Sequence, residues 1–148
     1  MNKLRLLTFL FTALFLTTLA SCSKDDDAEP SKKQLLTAHE WVGSDIYVNG
    51  TKQTGNPYLQ ENLFDINTVK LNFKDDRTYT ATFRVNGTPQ TQDGIWELYD
   101  NDTKLNLPFL NEPGDTTDIK RLTENNLDIS TSFEENGTPI TVELRFVK

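Results

Sequence analysis

From residue 34 onward, hydrophobic and polar residues alternate with a period of two. Tyr79, Ala81, Phe83 and Val85 fall on one side of the chain, and Thr78, Thr80, Thr82 and Arg84 on the other. Leu127, Ile129 and Phe133 oppose Asp128, Ser130 and Ser132, and Ile140, Val142, Leu144 and Phe146 oppose Thr141, Glu143 and Arg145. Such alternation predicts strands with one buried face and one wet face, which antiparallel sheets allow and fully parallel sheets do not. Eight strands are expected, near Trp41–Val48, Thr68–Phe73, Thr78–Val85, Gly94–Tyr99, Lys104–Phe109, Thr117–Leu122, Leu127–Phe133 and Pro139–Val147.

The connections are short. Asn86-Gly87 and Asn136-Gly137 are hairpin signals, because both residues of the pair tolerate positive φ, and Asn49-Gly50 predicts another turn. Lys74–Arg77, Asp100–Asp102 and Thr123–Asn126 are further tight turns. Consecutive hairpins predict an all-β, eight-stranded, antiparallel up-and-down barrel, since closure removes the exposed edges of a long meander. A β-sandwich is the alternative, and pairing of Trp41–Val48 with Pro139–Val147 would mark closure. Leu35–His39 predicts a short N-terminal helical turn. The long segment Gly50–Asn67 predicts a lid or short helix across one barrel end.

The first 33 residues follow another pattern. Lys3 and Arg5 precede a 14-residue apolar run, Leu6–Leu19, which is too short to cross about 30 Å of hydrocarbon as a helix. Leu19-Ala20-Ser21-Cys22 resembles the bacterial lipobox. That resemblance implies cleavage between Ser21 and Cys22 and acylation of Cys22 by chains of the palmitate type. Two or three such chains, at about 0.8 kcal/mol per buried CH₂, would make membrane release negligible. Residues 1–21 then form a lipoprotein signal peptide, 22–33 a lipidated acidic tether, and 34–148 the barrel domain.

The tether Ser23–Ser31 holds nothing apolar larger than alanine and is read as a solvated spacer. Its run Lys24, Asp25, Asp26 and Asp27 resembles the surface-export signal of Bacteroidetes lipoproteins. The expected location is therefore the outer membrane, lipid-anchored and facing the cell exterior, with the periplasmic face as the alternative.

Charge narrows the partners. The chain carries −7, and removing the two positive charges of residues 1–21 leaves −9. A domain this acidic repels nucleic acid and anionic headgroups, so the expected membrane contact is lipid joined to Cys22. With Cys22 the only cysteine, no intramolecular disulfide can form, and stability must come from burial and backbone pairing.

Leu35–Val48, Val69–Phe83 with its Phe73-Lys74-Asp75-Asp76 turn, Gly94–Leu98 and Leu122–Leu127 together resemble the lipocalin-like domains of bacterial lipoproteins. The resemblance covers nearly all of residues 34–148 and implies a barrel without catalytic residues. The Gly-Xaa-Trp of true lipocalins is missing, the local order being Trp41-Val42-Gly43.

Candidate chemistry is sparse. His39 is the only histidine, with no Cys partner and no motif placing Ser and Asp beside it, so it reads as structural. Zinc needs several His or Cys ligands, and Asp100-Asn101-Asp102 lacks the glycine and final Glu of a calcium loop. No metal or cofactor is expected, and the chain is not expected to be an enzyme. Asp115-Thr116-Thr117 resembles the O-glycosylation site of exported Bacteroidetes proteins. The paired acids Asp75/Asp76 and Glu134/Glu135 read as solvated turn charges.

The aromatics remain. Trp41, Tyr79, Phe83, Trp96, Phe133 and Phe146 are the candidate ligand-binding residues, because an eight-stranded barrel is wide enough to be packed solid or to hold one small ligand. The expected function is binding of a small apolar or amphipathic molecule, with a packed-core structural or protein-interaction lipoprotein as the alternative. A cavity of roughly 300 Å³ or more lined by these aromatics would favour the first.

Overall fold

The structure, a computed structural model, describes residues 29–110 and 116–148. Ser21, Cys22, Lys24–Asp27 and Asp115 lie outside the described residues. Within them, two short helices, α1 (Lys32–Thr37) and α2 (Pro57–Asn62), accompany ten strands. The strands are β1 (Trp41–Val48), β2 (Thr51–Lys52), β3 (Lys70–Phe73), β4 (Thr78–Val85), β5 (Thr88–Ile95), β6 (Glu97–Tyr99), β7 (Lys104–Asn106), β8 (Thr117–Leu122), β9 (Asn126–Glu135) and β10 (Thr138–Val147). A 3-10 turn spans Ile66–Thr68.

All strand pairs are antiparallel, in the order β5-β4-β3-β1-β10-β9-β8-β7-β6, with β2 a short hairpin partner of β1. The two ends of this order, β5 and β6, are consecutive in the chain and bend at Trp96. They make one stave that pairs with β4 along its first half and with β7 along its second. The ring therefore has eight staves. First meets last through the Val42↔Val147 to Val48↔Val142 ladder between β1 and β10. This is the up-and-down barrel the alternation predicts, and the β1–β10 pairing decides against the sandwich.

Turn chemistry sets the hairpins. Asn49-Gly50, Asn86-Gly87 and Asn136-Gly137 all hold positive φ at both residues, the twist-matched geometry of two-residue loops. Asp100, Asn101 and Asp102 are also left-handed, a conformation that Asn and Asp tolerate best among residues with a Cβ.

The two barrel ends differ. At one, α1 begins with a capping box: the Gln34 backbone N–H donates to Ser31 Oγ, and the Ser31 N–H donates to Gln34 Oε1 at 2.8 Å. Its Lys32 and Lys33 ammonium groups donate to the carbonyls of Asp102 and Asp75 at 2.9 and 3.1 Å, fixing the helix across the β6–β7 and β3–β4 turns. Leu36 projects inward onto a solid core that includes Trp41, Phe73, Trp96, Leu127 and Phe146. Phe73 and Trp96 meet edge to face at 5.6 Å. This end is closed.

At the other end α2 runs beside the β4–β5 hairpin. Asn56 caps it by accepting from the Tyr58 N–H, and Pro57 occupies its first turn. The Asn86 N–H donates to the Gln60 carbonyl and the Asp65 N–H to the Arg84 carbonyl, tying the segment to the end of β4. The lid or helix predicted in Gly50–Asn67 is thus present, and it supplies one wall of the open end.

Candidate ligand cavity

The inward faces of the strands continue past the packed core towards the Asn-Gly turns, but there the residues stop filling the interior. A cavity of about 200 Å³ results. Ile129, Thr131 and Phe133 of β9 line it, with Val142 and Leu144 of β10 and Ile46 of β1 beside them. Each strand contributes alternate residues, as the two-residue period requires. Leu63 and Phe64 approach from the segment after α2, Phe109 and Leu110 from the connection after β7, and Thr117 from the start of β8.

Three phenylalanines buttress one side. Phe83 and Phe109 lie 4.9 Å apart, Phe64 and Phe109 5.5 Å, and Phe64 and Phe83 6.2 Å. Leu63 and Phe133 remain 51% and 50% exposed, so the mouth is rimmed by apolar side chains in contact with water.

The lining among the described residues carries no ionisable side chain: nine of its eleven members are apolar and two are threonines. The Thr117 hydroxyl donates to the Leu105 carbonyl at 2.9 Å. A neighbouring recess of about 290 Å³ includes Glu61, Asp65 and Arg84 in its lining, and it is a shallow polar groove between α2 and the β4–β5 hairpin.

The six aromatic candidates separate. Trp41, Tyr79, Trp96 and Phe146 are buried in the packed core, away from the cavity lining. Phe83 joins the aromatic trio behind the wall, and Phe133 alone of the six lines the cavity. Ile129, Val142 and Leu144 carry the same inward alternation as the core residues. The signal that distinguishes them is their position along the strand, beyond the bulky layer and towards the hairpin turns.

Two polar groups are buried without a partner among the described residues, His39 Nε2 and the Tyr79 hydroxyl. Burial pushes the Tyr79 phenol up from its ordinary range, with the nearby Phe109 backbone N–H and Gln92 side chain opposing. The His39 ring lies tilted against Trp41, 4.3 Å between centroids, near the closed end, and its pKa is lowered by burial and by the charge of Lys148. Neither residue belongs to the cavity lining. Among the described residues no group of three or more His, Cys, Asp or Glu is placed to hold a metal ion.

The class defined by these features is an antiparallel up-and-down barrel, plugged at one end by a helix and an aromatic core, with an apolar cavity at the other. No family model matches the chain, and no curated protein matches it. Among solved structures it is similar to the odorant-binding protein from bovine nasal mucosa, at 19% identity over 82% of this chain and 76% of that chain, with a TM-score of 0.48. A complex of bovine odorant-binding protein with undecanal matches with the same figures. A complex with a selenium-containing odorant matches at 18% identity over 80% of this chain and 75% of that chain, with a TM-score of 0.49.

Proposed function

We propose that the domain is a non-catalytic carrier of one small apolar molecule, held in the cavity between β9, β10 and the segment after α2. The single observation that carries this reading is the cavity of about 200 Å³, whose lining among the described residues includes no ionisable side chain. An engineered apolar cavity of about 150 Å³ stays dry and binds benzene, so this one suits a ligand of about seven or eight non-hydrogen atoms. At about 200 Å³, with Phe133 alone of the six aromatic candidates in its lining, it falls short of the roughly 300 Å³ aromatic-lined cavity expected from the sequence, which confines the reading to compact ligands. The packed-core alternative needs a filled interior, and the open end is not filled.

The lipocalin-like resemblance and the lipobox-like Leu19–Cys22 support a carrier anchored through acylated Cys22, with Lys24–Asp27 directing it to the cell exterior. The chain enters the barrel through α1 at the closed end. In this reading the tethered end is the plugged one, and the mouth is left free to sample the surrounding water.

Thermal unfolding tests the carrier reading. At a ligand concentration of 100 times Kd the folded state gains about 2.7 kcal/mol, a rise of several degrees in Tm. Ethylbenzene is expected to raise Tm of the wild-type domain and leave that of Val142→Phe, which fills the cavity, unchanged. Equal responses from both proteins, or none from either, would reject the reading.

A further inference from the structure

The cavity wall holds one polar spot in an otherwise apolar lining. Thr131 sits on β9 with its side chain at the cavity, and its hydroxyl has no hydrogen-bond partner among the described residues. The Asp118↔Ser130 pair of the β8–β9 ladder carries Thr117 to the position opposite Thr131. The Thr117 hydroxyl spends its proton on the Leu105 carbonyl, so towards the cavity it can only accept. Thr131 can donate and accept. Side by side on adjacent strands, the pair offers one donor and one acceptor to the same place.

No side chain among the described lining residues can neutralise an anion. Among the described residues the lining has no cation. A carboxylate entering would lose its hydration with no opposite charge among the described lining residues to offset the loss, in a domain that is already strongly negative.

Resting on the carrier reading above, we infer that the cavity selects an uncharged alcohol, with Thr131 as the specificity-determining residue and Thr117 as its acceptor partner. The ligand hydroxyl accepts from Thr131 and donates to Thr117, and its hydrocarbon part fills the space against Ile129, Leu144 and Phe133. Hydrocarbons of the same size bind through burial alone and leave the Thr131 hydroxyl unmatched. Carboxylates bind only in their protonated form.

The test compares benzyl alcohol with ethylbenzene, which has the same number of non-hydrogen atoms, and with benzoate. Affinities are read from methyl NMR titrations of the folded domain. In Thr131→Val, benzyl alcohol should weaken about fivefold to tenfold, the effect of one lost hydrogen bond, while ethylbenzene changes by less than about twofold. Benzoate should strengthen about 30-fold between pH 7 and pH 5.5, as the neutral acid becomes more abundant. Equal changes for alcohol and hydrocarbon in Thr131→Val, or a pH-independent benzoate affinity, would overturn the inference and leave the carrier reading intact. If ethylbenzene and benzyl alcohol both fail to bind the wild-type domain, the carrier reading falls and this inference with it. The methyl spectrum of Thr131→Val without ligand reports whether the variant is folded. Should it be misfolded, Thr131→Ser, which keeps the hydroxyl, replaces it. Retained alcohol preference in Thr131→Ser supports the inference, and its loss contradicts it.

Discussion

The indole N–H of Trp41 donates to the backbone carbonyl of Leu36 at 3.0 Å, with both residues fully buried. The bond joins the last turn of α1 to the first residue of β1 and holds the plug in place. Trp41→Phe keeps an aromatic ring but leaves a buried carbonyl unpaired and a void beside it. An unpaired buried group costs about 1–3 kcal/mol, so a loss of at least that size is expected in urea unfolding. Leu36→Ala removes the plug itself and should cost about 2–5 kcal/mol.

Gly43 lies at an irregularity in the β1–β10 ladder, with its N–H donating to the Val69 carbonyl at 2.8 Å. A Cβ there would collide with the carbonyl oxygen of Ile66, a backbone atom that cannot rotate aside. Gly43→Ala should therefore destabilise the domain by about 1–3 kcal/mol or more, although alanine suits a strand no worse than glycine does. The urea midpoint checks it, and an unchanged midpoint would show that the 3-10 turn is free to move.

His39 gives the protein a pH dependence that can be assigned to one residue. Its folded pKa lies below the ordinary 6.5, first through burial and then through Lys148. Between the folded value and 6.5 the unfolded chain binds more protons than the folded one, so stability rises with pH across that window. The contribution is complete above 6.5 and is lost as pH falls through the folded pKa. The single imidazole resonance should titrate with a midpoint below 6.5, and His39→Gln should flatten the slope of stability between pH 7.5 and 5.5.

Much of the fold was legible because inward and outward faces differ. β1, β4 and β8 match the predicted strands residue for residue, and β9 and β10 differ only at their ends. β5 was missed beyond its last two residues, for a physical reason. Its inward positions, opposite Val85, Phe83, Ala81 and Tyr79, are Thr88, Gln90, Gln92 and Gly94. With polar or small residues on both faces, no hydrophobic alternation remains to be read. β7 stops at Asn106, three residues short of the predicted Phe109, because Phe109 turns in to meet Phe64 and Phe83.

The cavity was less legible than the barrel. Aromatic size marks where a barrel is filled, and Trp41, Tyr79, Trp96 and Phe146 do fill it. An unfilled region depends on what fails to reach the axis, which residue identity alone does not encode. Ile129 and Leu144 look the same in sequence whether they face a neighbour or a void.

Lipidation is separable from the fold. Cys22→Ala should abolish incorporation of labelled fatty acid and move the protein into the aqueous phase of a detergent extraction. The domain should keep its unfolding midpoint, because Cys22 lies outside residues 34–148. Continued labelling of the variant would contradict the reading of Leu19–Cys22.

The most direct measurement is a benzene titration followed by methyl NMR. The account predicts saturable shifts at Ile46, Ile129, Val142 and Leu144, with Leu36 and Leu127 at the plugged end unmoved. Absence of saturation, or shifts spread evenly over both ends, would contradict an accessible apolar cavity at the open end of the barrel.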